Sequence, residues 1–311
     1  MLKDATGAYR SLDIEFEEAI RRRATIFTAA VSERSPDVVV VDRHPFGTAG
    51  ELVEGLSVAH RAGVRLVLGL RDVLDEPEVV RAELGGKGWE GAGELYDRVL
   101  VYGARHICDH EAEYGLPLTP IYCGWVVGRG PPPVPTPGLL AVCAGGGGDG
   151  AHVLDLGLAA IEGSPGWRAR VAAGPFGDGD RLRDLVRKSP ARGRVVVSNE
   201  VKDCGPLLST AAAVLEMAGY NSTCEALASG LRPILVPRRA PRREQAIRAE
   251  RLAALDLCDV VPEGAGGEFV VSLLRSPRRL TPTQLTSAGI SLDGSTRAAR
   301  ALEELALGAR T

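Results

Sequence analysis

Lysine is nearly missing from this chain of 311 residues. Of its 37 basic residues only Lys3, Lys87, Lys188 and Lys202 are lysines, and 33 are arginines. The net charge of −3 leaves no basic excess of the kind a dedicated nucleic-acid binder carries. Beside so much alanine and glycine, the arginine skew reads as a GC-rich genome rather than as phosphate recognition. No apolar run reaches the ~20 residues of a membrane span, and no signal-peptide pattern is seen. The six cysteines (108, 123, 143, 204, 224 and 258) form no C-x-x-C pair. Several fall in apolar runs, as reduced core thiols do, so the expectation is a cytoplasmic protein. No P-loop is found. No Ser/His/Asp or Cys/His nucleophile pattern stands out.

What is present is an alternation of short β-rich runs with helical stretches, the pattern of parallel α/β folds. The first half offers strands at Asp37–Asp42, Val64–Leu70 and Arg98–Tyr102, with a weaker one at Tyr122–Val127. The second offers Leu139–Cys143, Arg168–Ala173, Arg194–Val197, Ala213–Glu216 and Pro233–Val236, with a closing amphipathic helix at Ser295–Ala306. Between them, Gly128 to Gly138 holds five prolines in eleven residues, which continue neither a helix nor a central strand. The expected division is residues 1–128, a stiff linker at 129–138, and residues 139–311. A hydrophobic content of 45% suits two such cores.

The most telling segment is Gly219-Tyr220-Asn221-Ser222-Thr223-Cys224-Glu225, set between an apolar run and the buried strand Pro233–Val236. It reads as a turn and a helix start with Glu225 in the first turn. Helix N-termini receive anions, and a glutamate there can accept hydrogen bonds from a ribose. Ser222-Thr223-Cys224-Glu225 also spells a capping box, in which Ser222 and Glu225 merely satisfy the helix end. Both readings stand at this level.

Gly145, Gly146, Gly147 and Gly148 follow the strand Leu139–Cys143 and precede a helix from Ala151 to Glu162. Glycine lets a backbone approach a phosphate closely; a flexible turn is the plainer reading. After Pro237 comes Arg238-Arg239-Ala240-Pro241-Arg242-Arg243-Glu244-Gln245, at a strand's carboxyl end. Arg238 and Arg242 suit a diphosphate leaving group, and Glu244 and Gln245 suit sugar hydroxyls, although surface arginines are common in so arginine-rich a chain. His44, ending another buried run, is the general-base candidate. His106 and His110 have the i,i+4 spacing of metal ligands on a helix, but no third ligand accompanies them.

Gly219 to Gly230, the loop after Pro237 and the pair Glu244-Gln245 together resemble the C-terminal donor-binding domain of MurG-type GT-B glycosyltransferases. The resemblance implies an α/β GT-B fold of two Rossmann-like domains facing a cleft. It implies a nucleotide-sugar donor, UDP-linked such as UDP-GlcNAc, with Gly219 to Thr223 on the diphosphate, Glu225 on the ribose and Glu244 and Gln245 on the sugar. It implies no metal and no cofactor. The acceptor is unidentified; a lipid-linked one would place the protein against the inner membrane face. Val38–Gly47, Arg65–Pro77 and Asp97–Gly103 are similar to a bacterial branch of predicted glycosyltransferases. Members open with a strand and a glycine loop ending in histidine, and nothing like it precedes Asp37, where residues 1–36 hold one helical stretch, Ile14 to Val31. The first β–α unit is therefore expected to be missing, through a misplaced or fragmentary start in the favoured reading and through a trimmed acceptor half in the alternative. The rival functions are a catalytically silent nucleotide-sugar binder or partner subunit and a sugar-nucleotide epimerase.

Overall fold

The computed structural model describes residues 2–3, 9–10, 14–128, 130, 132–146, 148–199 and 204–308. In chain order the elements begin with a two-strand antiparallel pair, β1 (Leu2–Lys3) and β2 (Tyr9–Arg10), followed by α1 (Phe16–Arg34). Next come β3 (Val38–Asp42), α2 (Val53–Arg61), β4 (Arg65–Arg71), α3 (Pro77–Leu84), α4 (Ala92–Leu95), β5 (Arg98–Tyr102), α5 (His110–Tyr114) and β6 (Pro120–Tyr122). Then follow β7 (Leu139–Cys143), α6 (Ala151–Glu162), β8 (Arg168–Ala172), α7 (Gly179–Lys188), β9 (Val195–Ser198), α8 (Gly205–Thr210) and β10 (Ala213–Glu216). The chain closes with α9 (Tyr220–Ala228), β11 (Ile234–Leu235), α10 (Glu244–Ala254), β12 (Asp259–Val260), α11 (Gly267–Leu274), α12 (Pro282–Ser287) and α13 (Gly294–Gly308).

These elements form two compact units, residues 1–126 with 293–311, and residues 127–292. In the first, β3, β4, β5 and β6 pair in that order, all parallel. Leu66, Val67, Leu68 and Leu70 on β4 are all buried, as a continuous apolar run must be when helices cover both faces. Gly55 lets α2 approach α1: a Cβ there would lie 2.4 Å from the Phe27 ring. Gly124 has φ +83°, which ends β6 at Tyr122 and keeps the chain from extending through the expected strand at Tyr122–Val127.

The closing helix corrects the expected division at 139–311. Ala298 and Ala301 of α13 pack on Val67, Leu100 and Cys123 of the first unit's sheet. At its start, a Cβ on Gly294 would sit 2.5 Å from the Gly124 carbonyl oxygen, and Gly294 N donates to Trp125 O at 3.1 Å. The proline-rich segment is held by the second unit, where Val134 N and Thr136 N donate to Ser209 O and Thr210 O, each at 2.8 Å.

The second unit is a six-stranded sheet in the order β12-β11-β10-β7-β8-β9. Its pairs are all parallel. Residues on alternate faces of its strands feed two cores. Leu140, Val142 and Leu215 join Leu154 and Ile161 of α6 on one face. Ala141, Cys143 and Val214 meet Leu208 of α8 and Ala226 of α9 on the other. The chain builds β7, β8 and β9 in one direction and then returns to lay β10 on the opposite side of β7. The strand order thus reverses between β7 and β10, and ligands of open α/β sheets lie outside the carboxyl ends at such a point.

Candidate nucleotide site

Three loops leave the sheet side by side at that edge, because β7, β10 and β11 are adjacent and their last residues are in register: Glu216 pairs with Cys143 on one side and with Leu235 on the other. The loop after β7 carries the glycines. Gly145 takes φ +76°, a left-handed conformation that favours glycine. A Cβ on Gly146, by contrast, would meet nothing within 4 Å, so neither the turn nor the packing calls for glycine there. Gly145, Gly146, Gly148 and Asp149 are exposed; Gly147 lies outside the described residues.

The loop after β10 is the short turn Met217-Ala218-Gly219. It is pinned by Arg248 of α10, 1% exposed, whose Nη1 donates to Ala218 O at 2.8 Å. Gly219 is the N-cap of α9, and no side chain caps the helix. The expected capping box therefore does not form. The helix starts at Tyr220, earlier than the box requires, so Ser222 lies inside the first turn. Its hydroxyl bonds backward, 3.2 Å from both Met217 O and Gly219 O. Glu225 consequently stands in the second turn rather than the first. Thr223 faces inward: its N–H donates to Gly219 O at 3.0 Å, and its Oγ1 is buried with no partner. The N–H groups of Tyr220, Asn221 and Ser222 head α9, where the helix dipole is positive and no intrahelical carbonyl is in reach.

Glu225 is half-buried on α9. Near it lies Glu216, a residue sequence reasoning passed over as the end of a strand. Glu216 is fully buried and neither carboxylate oxygen has a hydrogen-bond partner. Burial holds its carboxyl well above the usual range, with the Glu225 charge and Cys204 adding to the shift. Burial and the Glu225 charge thus both favour the protonated form of Glu216. The only signal in the sequence was a carboxylate inside the otherwise apolar run Ala211–Ala218.

The loop after β11 brings Arg238, Glu244 and Gln245 together. Arg238 Nη1 reaches Asp149 Oδ2 of the glycine loop at 3.1 Å, and its Nη2 pairs with Glu244 Oε1. Arg238 N donates to Gln245 Oε1 at 3.1 Å. Two carboxylates, Asp149 and Glu244, thus share Arg238. Glu244 Oε2 is buried and unpartnered. Arg242 is half-buried. Asp149 is the other residue sequence reasoning missed; only the fold carries it to Arg238.

His44 belongs to the first unit, at the carboxyl end of β3, where its N–H donates to Asp42 O at 2.8 Å and its carbonyl accepts from Gly47 N at 3.0 Å. The metal reading of His106 and His110 fails. His110 begins α5 while His106 precedes it, and the buried His110 ring is used by Cys108 O at 3.2 Å and Arg71 O at 3.0 Å. Burial lowers its pKa. Among the described residues no cluster of metal-ligating side chains occurs.

No family description and no characterised protein sequence matches the chain. Solved structures do. The glycosyltransferase of kitacinnamycin is 17% identical with a TM-score of 0.61, over 96% of this chain and 86% of that one. MurG of Acinetobacter baumannii is 13% identical with a TM-score of 0.54, over 91% and 74%. The chain has the GT-B fold. A putative UDP-N-acetylglucosamine 2-epimerase from Listeria monocytogenes also matches, 13% identical with a TM-score of 0.59, over 95% and 81%. At these identities GT-B fixes the architecture and not the chemistry.

Proposed function

We propose that this GT-B protein is a glycosyltransferase that takes a hexose from a nucleoside diphosphate donor, UDP-linked as in UDP-GlcNAc, and transfers it to an acceptor hydroxyl or amine. The observation that carries the reading is the uncapped N-terminus of α9, opening at the switch point beside the glycine loop with Glu225 one turn along. Diphosphate oxygens accept from the N–H groups heading α9 and from the exposed backbone at Gly146 and Gly148. Glu225 accepts from the ribose hydroxyls, and the buried, unpartnered Oε2 of Glu244 accepts from a sugar hydroxyl, with Gln245 beside it.

In the transfer, the acceptor's lone pair forms a bond to the anomeric carbon as the bond from that carbon to the diphosphate oxygen breaks. The diphosphate leaves with the electron pair, and the acceptor's proton passes to a base, His44 in this reading. Helix dipole and backbone N–H groups stabilise the leaving charge without a metal. Arg238 joins them as the diphosphate competes for it with Asp149 and Glu244, with Arg242 beside it. Glycosyltransferases among the structural matches support sugar transfer. The epimerase match favours a second reading, in which the bound sugar nucleotide is itself the product. Product analysis without added acceptor separates the two.

The test of the donor site is calorimetric titration of UDP into wild type and Glu225→Ala. Loss of a hydrogen bond to a charged group predicts binding weaker by ~1.5–3 kcal/mol in the variant. Equal binding by both forms would reduce Glu225 to a solvent-facing helix residue and remove the main support.

A further inference from the structure

The first unit carries a cavity of about 530 Å³ at the carboxyl edge of its own sheet, lined by Phe46, Thr48, Ala49, Val53, Lys87 and Glu90 with Gly47, Gly50 and Gly88. Its volume falls in the range of small-molecule sites, roughly 300–1,000 Å³. Both walls are built in advance. On one side the 46–53 loop is wrapped around the buried carboxylate of Glu51, which accepts from Ala49 N at 2.9 Å and from Arg23 Nε at 3.1 Å. Burial pushes that carboxyl up, but the N–H groups of Ala49, Glu51 and Thr48 and the Arg23 charge outweigh it and hold it below the usual range. The Tyr96 hydroxyl donates to Pro45 O, and Leu52 N to Phe46 O at 3.1 Å. On the other side the 87–90 turn is anchored by the buried Trp89, whose N–H donates to Gly86 O at 3.0 Å. Arg43, at the end of β3, ties the two sides through Glu83 at 2.8 Å.

The lining is mostly apolar and carries two charged groups. Val53 is 47% exposed and presents apolar surface at the cavity. Lys87 lines the cavity and makes no ion pair among the described residues. A cation left unpaired beside apolar surface suits an anion on an apolar body. Glu90, the remaining charged group, suits a hydroxyl donor.

We infer that this cavity binds a small ring-bearing hydroxy acid, with its apolar body against Phe46 and Val53, its carboxylate at Lys87 and a hydroxyl at Glu90. Such a molecule would be the acceptor; that word, though not the binding, rests on the glycosyltransferase reading. The probe is 3-hydroxy-2-naphthoate, with 2-naphthol as the same ring lacking the carboxylate. Both are titrated by calorimetry into the full chain, its Lys87→Gln and Val53→Trp variants, and UDP is titrated into each form. The naphthoate is expected to bind, to weaken about fivefold in Lys87→Gln, the ~1 kcal/mol of an exposed ion pair, and to be lost in Val53→Trp, which fills the cavity from an exposed position. Binding of 2-naphthol should ignore Lys87→Gln. Unchanged circular-dichroism spectra and thermal midpoints in both variants show that the first unit remains folded, which UDP binding to the second unit does not report. No naphthoate binding, or binding indifferent to either substitution, overturns the inference. Naphthoate binding as expected with no UDP binding by any form leaves the cavity standing and removes the donor reading instead.

Discussion

Replacing Glu216 with methionine should stabilise the second unit, and more so as pH rises. Glu216 is 0% exposed with two unpartnered oxygens. A buried polar group without a partner costs about 1–3 kcal/mol, and an apolar group of similar shape removes that cost. The pH dependence follows from linkage. The ordinary carboxyl value is 4.5, and burial with the nearby Glu225 charge raises it in the folded state. Between the two values the folded chain holds more protons than the unfolded one, so unfolding free energy falls as pH increases. The contribution of Glu216 is thus fully present below about pH 4.5 and lost as pH climbs through the folded value. Wild type and Glu216→Met should lie closest in acid, where the variant is already about 1–3 kcal/mol more stable, and diverge further toward neutrality. Hydrogen exchange at the amides of β7 and β10, read at pH 5, 6, 7 and 8 after correction for intrinsic rates, reports the opening of this unit alone. A difference that does not change with pH, or a variant less stable at pH 7, would refute the reasoning.

Two further outcomes follow from the same geometry. Asp149→Asn should leave Arg238 with one carboxylate instead of two and tighten UDP binding a few-fold in calorimetry; weaker binding would mean that Asp149 orients Arg238 rather than competing for it. Gly294→Ala places a Cβ 2.5 Å from the Gly124 carbonyl oxygen, and backbone cannot yield as a flexible side chain does. Overpacking of this kind costs about 1–3 kcal/mol, so α13 should be cleaved faster in limited proteolysis, and unchanged cleavage would show that the junction relaxes freely.

Local pattern was enough for most strands of the two sheets. Arg98–Tyr102, Leu139–Cys143 and Ala213–Glu216 stand where their apolar runs placed them, because a strand covered on both faces leaves an unbroken hydrophobic signature. The helix at Ala151–Glu162 was equally legible. Two-residue strands such as β12 were not, since a pair of residues carries no period. Sequence also singled out the segment around Gly219 and Glu225, but not its register. Ser222 and Glu225 spell a capping box in one dimension, and the packing that starts α9 at Tyr220 turns that hydroxyl backward and shifts Glu225 into the second turn. Asp149 meets Arg238 across 89 positions of sequence, and Glu216 comes close to Glu225 only because β10 and α9 fold onto one another. The last helix lies on the first unit's sheet, a long-range choice made by Ala298, Ala301 and Gly294 that no neighbouring residue announces. Composition and periodicity act within a few residues of themselves, so they determined the elements and the class of fold. Charge pairing, orphaned polar groups and helix docking depend on which elements become neighbours, and only the tertiary structure decided those.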